Sequence, residues 1–126
     1  MKFEDLKVWK KAAHLATDIF LHTENLKNWG FRDQITRAAL SISSNIAEGS
    51  DRDTAKDLLL FLRYARGSAA ETRSQLYIGI KARYIEKEFG FNCVRMTREI
   101  SSMLFALRQT VRKKIKQNKD KERGEK

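Results

Sequence analysis

Proline is absent from all 126 residues, and glycine occurs only six times. With so few positions that remove a backbone donor or loosen the chain, long uninterrupted helices are the expected outcome. A single cysteine, Cys93, excludes an intrachain disulfide and a cysteine-based zinc site, and fits a reducing cytoplasm. No apolar run approaches the roughly 18–20 residues that a membrane span needs. The opening "MKFEDLKVWKK" carries acids and no apolar core of the kind that marks a signal peptide. No stretch alternates with period two for long enough to indicate a sheet. Phosphate-loop and dinucleotide-binding glycine patterns are missing. Ser43 and Ser44 lack the strand–turn–helix context of a nucleophile elbow and any local base. His14 and His22 lie about two turns apart on one helix, too few ligands for a metal site.

What is present is charge. The chain is 41% hydrophobic and 33% charged, with a net charge of +10, which describes one globular domain with one modest core. Half of the excess lies at the end. From Arg112 on, "RKKIKQNKDKERGEK" has eight basic and three acidic residues, a net of +5 that leaves +5 for residues 1–111. A bundle domain over residues 1–114 is expected, followed by a flexible basic tail over residues 115–126. Such a tail attracts nucleic acid by releasing counterions, or serves solubility alone, with an extension of the last helix as the other form it can take.

Apolar residues stepping by three and four predict four helices. The first covers residues 4–26, with Leu6, Trp9, Ala12, Ala13, Ala16, Ile19 and Phe20 inward. Gly30 marks the break to a second over residues 32–48, which carries Ile35, Ala38, Ala39, Ile42 and Ile46 and ends at Gly49 as a C-cap. Asp51 or Asp53 caps a third over residues 54–84. Gly90 precedes the fourth, from residue 92 to 114 or beyond, whose stripe runs from Cys93 through Met96, Ile100, Met103, Leu104 and Leu107 to Val111. Connections this short join antiparallel neighbours, so the expected fold is all-α, an up-and-down four-helix bundle.

Two polar ladders interrupt this pattern. Gln34, Arg37, Ser41, Asn45 and Glu48 form one stripe on the second helix, beside the apolar one. Tyr64, Gly67, Ser68, Glu71 and Gln75 fall on one side of the third. The two ladders are expected to satisfy each other across the helix pair, with an Arg37–Glu71 ion pair at their centre and close backbone approach at Gly67 and Gly79. A pocket enzyme built on Arg37, Glu48 and Glu71 ranks last, because no nucleophile, metal or ExxH pair accompanies these carboxylates. In "LLLFL", residues 58–62, five apolar side chains cover the whole helix circumference. Leu59 or Leu60 must then face outward, and Tyr77, Ile78 and Ile80 repeat the problem. A second subunit is the economical cover.

The stretches "FEDLKVWKKAAHLATDIF", "QITRAALSISSNIAEGSDRD" and "LLLFLRYARGSAAETRSQL" resemble three consecutive signatures of the 23S rRNA intervening-sequence protein family, also called S23 or four helix bundle protein. The resemblance implies an antiparallel four-helix bundle that assembles as a ring-like homopentamer in the bacterial cytoplasm. The family's motif positions correspond here to Trp9, Gln34, Arg37, Ser41, Asn45, Glu48, Gly49, Gly67, Ser68, Glu71 and Gln75, expected at a helix–helix or subunit contact. The family's biochemical role is not established. A similar basic pentameric bundle accompanies diversity-generating retroelements and binds nucleic acid and a reverse transcriptase, a likeness at the level of fold alone.

The leading functional expectation is a non-enzymatic oligomer that binds RNA or DNA through phosphates, without cofactor or metal. Its candidate contacts are Arg63, Arg66, Arg73, Lys81 and Arg83 on the third helix and Arg112, Lys113, Lys114 and Lys116 toward the tail. No stacking RNA-recognition signature is present, so no base code is expected. The alternative is a protein–protein scaffold whose basic surface serves solubility.

Overall fold

The computed structural model describes residues 1–124. They form a short 3-10 turn, Phe3–Asp5, and four α-helices: α1 Lys7–Thr23, α2 Trp29–Ser50, α3 Ala55–Lys81 and α4 Lys87–Glu122. There is no strand among the described residues. Helices adjacent in sequence pack against each other and α1 also meets α4, while no diagonal pair touches. This closed ring of neighbours is the expected up-and-down four-helix bundle. Its centre is filled by fully buried Leu15, Ile19, Ile35, Ile42, Leu62 and Leu104, among others.

Each helix end has a local cause, and several differ from expectation. The first helix begins at Lys7 because Leu6 is extended (φ −77°, ψ 124°), leaving the preceding turn to fold on its own. Phe3 meets Trp9 edge to face at 5.0 Å and closes that turn onto the helix. Val8 and Leu15 are buried, whereas Trp9 is half-buried and Phe20 exposed, so the inward stripe is rotated from the expected one. Asn28 caps α2 by accepting from the Phe31 N–H at 3.1 Å. Gly30 therefore lies inside the first turn and breaks nothing. Thr54, not Asp51 or Asp53, caps α3 by accepting from the Asp57 N–H at 3.1 Å.

Gly49 is not a C-cap. The helix runs through it to Ser50, and a Cβ there would sit 2.7 Å from Cβ of Phe61, so glycine allows α2 and α3 to converge. Gly79 does the same work at the other end of α3, where a Cβ would meet Phe31 at 2.6 Å and Ile85 at 2.8 Å. The end of α3 comes three residues early. Arg83 takes the left-handed conformation (φ 65°), and the N–H groups of Tyr84 and Ile85 both turn back to the Gly79 carbonyl. A basic residue thus occupies the position that glycine favours at a helix end.

The last helix starts five residues earlier than expected. Glu86 is extended and α4 starts at Lys87, with Gly90 buried inside its first turn. At its far end α4 continues through the basic segment to Glu122, the helical extension that was one of the two expectations for it. Lys, Gln, Glu and Arg are good helix formers, and Ile115 packs against the core one turn beyond Val111. Residues 125–126 of the expected tail lie outside the described residues. At 1.5 Å per residue, α3 spans about 40 Å and α4 about 54 Å, so the basic end of α4 stands beyond the bundle.

Candidate nucleic-acid interface

The polar ladders lie where the pattern puts them, but their bonds run along each helix rather than across. Ser41 Oγ donates to the Arg37 carbonyl at 2.9 Å, and Asn45 Nδ2 donates to the Ser41 carbonyl at 2.8 Å. Thr72 does likewise to Ser68 at 2.8 Å. Short hydroxyl and amide side chains reach their own preceding turn more readily than a neighbouring helix. The expected Arg37–Glu71 pair is not formed. Arg37 is exposed and pairs with Asp33 at 3.0 Å, one turn back, while Glu71 is exposed and accepts from Gln75 at 3.4 Å. Glu48 pairs with Arg52 at 2.8 Å. Arg37, Glu48 and Glu71 therefore do not converge on a pocket. Gln34 is exposed, and Gln75 Oε1 is buried without a partner.

Within the subunit nothing approaches within 4 Å of where a Gly67 Cβ would be, so no helix of the same chain packs there. Its helix line holds the outward apolar residues instead. Within "LLLFL", Leu58 and Leu62 are buried, Leu59 is half-buried and Leu60 faces out; Tyr64 and Ile78 continue the exposed line.

The basic residues concentrate on the other flank of α3, against α4. Arg66 lies over the Phe105 ring with its guanidinium carbon 5.5 Å from the centroid. Arg73 donates to Thr97 Oγ1 at 3.3 Å, and Arg98 donates to the Tyr77 hydroxyl at 3.2 Å. Tyr77 in turn meets the Phe91 ring edge to face at 6.3 Å. These contacts fix an antiparallel register that brings Arg63 and Arg66 beside Arg108 and Arg112. Burial, and then the charges of Arg112, Arg66 and Arg63, pull the Arg108 guanidinium below its ordinary range. Its Nε is buried without a partner. Arginine stays protonated at neutral pH, so the four guanidiniums form a positive cluster.

Carboxylates avoid this flank. Between Arg63 and Tyr77 the sole acid is Glu71, which five residues of helical turn place about 140° round from Arg66. Between Phe91 and Arg112 the sole acid is Glu99, which pairs with Lys11 of α1. Of the other sequence-derived candidates, Lys116 follows Arg112 one turn on, along the same line of α4. Lys113 is turned outward and Lys114 falls beyond the core stripe. Lys81 and Arg83 are exposed at the opposite end of α3 and do not join the cluster.

Arg98, Phe105 and Arg108 were not among the expected contacts. A signal for two of them exists in the sequence: Phe91, Arg98, Phe105, Arg112 and Lys119 recur every seven residues, a single line on α4. Other chemistry is not assembled. No group of three or more His, Cys, Asp or Glu residues among the described residues could hold a metal ion. His14 approaches Asp18 at 3.2 Å and His22 stacks on Phe89 at 3.8 Å. Burial, aided by the Asp18 charge, pushes the Cys93 thiol up to about 12, so it is not a nucleophile. Among the described residues no helix is long and apolar enough to cross a membrane.

No curated protein matches the chain. Among solved structures, a protein of unknown function from the S23 ribosomal protein family of Bacteroides thetaiotaomicron VPI-5482 is similar, with a TM-score of 0.74 and 27% sequence identity. The similarity covers 79% of this chain and 96% of that one. The model of the 23S rRNA-intervening sequence protein family matches residues 4–106, which include the whole of α1, α2 and α3 and the first part of α4, and the chain belongs to that family.

Proposed function

We propose that this protein is a non-enzymatic, cytoplasmic, oligomeric bundle that binds RNA or DNA through its phosphates. The observation that carries the reading is the convergence of Arg63, Arg66, Arg108 and Arg112 on a flank of α3 and α4 that faces no carboxylate. Like charges held together cost free energy unless an anion neutralises them, and a polyanion does so while releasing counterions. Repetition of this flank around a ring multiplies the effect. The exposed apolar side chains of Leu60, Tyr64 and Ile78 support assembly, on a different face of α3 and on one line with Gly67 and Glu71. A homopentamer is the assembly that the family resemblance favours.

The test is binding of labelled RNA and DNA measured over a range of salt concentrations. The reading expects log K to fall linearly with log salt and to differ little between unrelated sequences. Absence of salt-dependent binding at low ionic strength overturns it. The scaffold reading then takes its place, and the observation in its favour is the same apolar line on α3.

A further inference from the structure

We infer that the α3–α4 flank binds single-stranded nucleic acid, with bases stacking on Phe105 and its neighbouring aromatics between arginines that hold the phosphates. The inference rests on the reading above and names the strand state that the same surface selects.

Phosphate binding alone needs only cations. This flank also holds out three aromatic rings, with Phe105 49%, Tyr77 42% and Phe91 41% exposed. Each sits beside an arginine or another ring rather than in the core. Arg66 is over Phe105, and Tyr77 links Arg98 to Phe91. Along α4 the line alternates in type every seven residues, Phe91, Arg98, Phe105 and Arg112, so rings and guanidiniums take turns about 10.5 Å apart. From Phe91 to Arg112 it measures roughly 32 Å, enough for on the order of nine stacked nucleotides at about 3.4 Å each.

A duplex cannot use these rings. Two helices packed side by side present a face about 20 Å wide, from a 10 Å separation and a 10 Å diameter. The major groove is about 12 Å wide and admits one helix. Bases reach Phe105 only when they are unpaired, where any base offers a π-face.

The experiment is fluorescence anisotropy on the full chain, with sedimentation run in parallel. The probes are an oligo(dT) strand of about 20 nucleotides, the same length of duplex, and a sugar–phosphate strand of equal length without bases. The wild type is expected to prefer oligo(dT) to the duplex at equal salt. Phe105→Ala should weaken oligo(dT) binding about 5- to 150-fold, the effect of losing one stacked base. It should leave the base-free strand and the salt slope unchanged, and Phe105→Tyr should restore binding. Equal wild-type affinity for duplex, or equal loss on both strands, overturns the stacking inference and leaves the electrostatic reading standing. Dissociation of the oligomer by Phe105→Ala makes the flank a subunit contact and overturns the inference as well. No salt-dependent binding to any probe overturns both readings.

Discussion

At Gly79 the packing leaves no room for a methyl group, whereas at Gly67 a methyl would meet nothing within 4 Å. The same substitution therefore has opposite expected outcomes at two positions of α3. Gly79→Ala forces Phe31 and Ile85 aside and should destabilise by about 1–3 kcal/mol in thermal unfolding. Gly67→Ala removes an exposed mid-helix glycine and should stabilise the subunit by up to about 1 kcal/mol. If a second subunit approaches at Gly67, the same change weakens assembly in sedimentation. Arg37 and Glu71 give a further prediction at this scale. Each is exposed and bonded within its own helix, so Arg37→Ala and Glu71→Ala should each cost less than about 1 kcal/mol and add without coupling. Cys93 adds a pH dependence. Its thiol is raised from an ordinary value of 9.0 to about 12, so the unfolded chain loses that proton first. The contribution is whole below about pH 9 and is lost as pH rises toward 12, which denaturant titrations across that range would show. At neutral pH the thiol should react with a disulfide reagent only on unfolding.

At the scale of elements, the turn after α3 holds the clearest local strain. Arg83 is the only non-glycine residue with positive φ among the described residues. Arg83→Gly should stabilise the fold by about 1 kcal/mol, measured by denaturant midpoint, because glycine adopts that conformation without a Cβ clash. It should leave nucleic-acid binding unchanged, since Arg83 stands apart from the α3–α4 cluster. The number and order of helices were legible in the spacing of apolar residues, and so was the outward turn of Leu60. The ends were less so. Gly30 and Gly90 read as breaks, yet both lie in the first turns of their helices. The caps that decide the starts, Asn28 and Thr54, are short polar residues among many others. The final helix outran its apolar stripe because its charged residues are helix formers in their own right. Within the ladders the stripe was legible but the partners were not, since Ser41 and Asn45 choose between a neighbouring helix and their own preceding turn. Arg63, Arg66 and Arg112 were visible as basic residues. Their meeting with Arg108 and Phe105 depends on the register of α3 against α4, which no single helix pattern contains.

For the whole molecule, the distribution of charge matters more than its sum. A net of +10 spread evenly would favour solubility and weak attraction to any polyanion. Here Glu71 is turned away from the α3–α4 flank and Glu99 is paired, and exposed Arg63 and Arg112 stand beside half-buried Arg66 and Arg108. The direct test compares two triple variants that remove the same charge from different places. One replaces Arg63, Arg66 and Arg112 with Gln; the other replaces Lys2, Lys10 and Lys27, which are exposed and lie outside α3 and α4. Salt-titrated binding to a single strand should lose a slope of roughly 2 in log K against log salt for the first variant, about 0.7 for each phosphate contact. The second should keep the wild-type slope. Equal slopes for both variants, or no binding by the wild type, would contradict the assignment of this flank as the nucleic-acid interface.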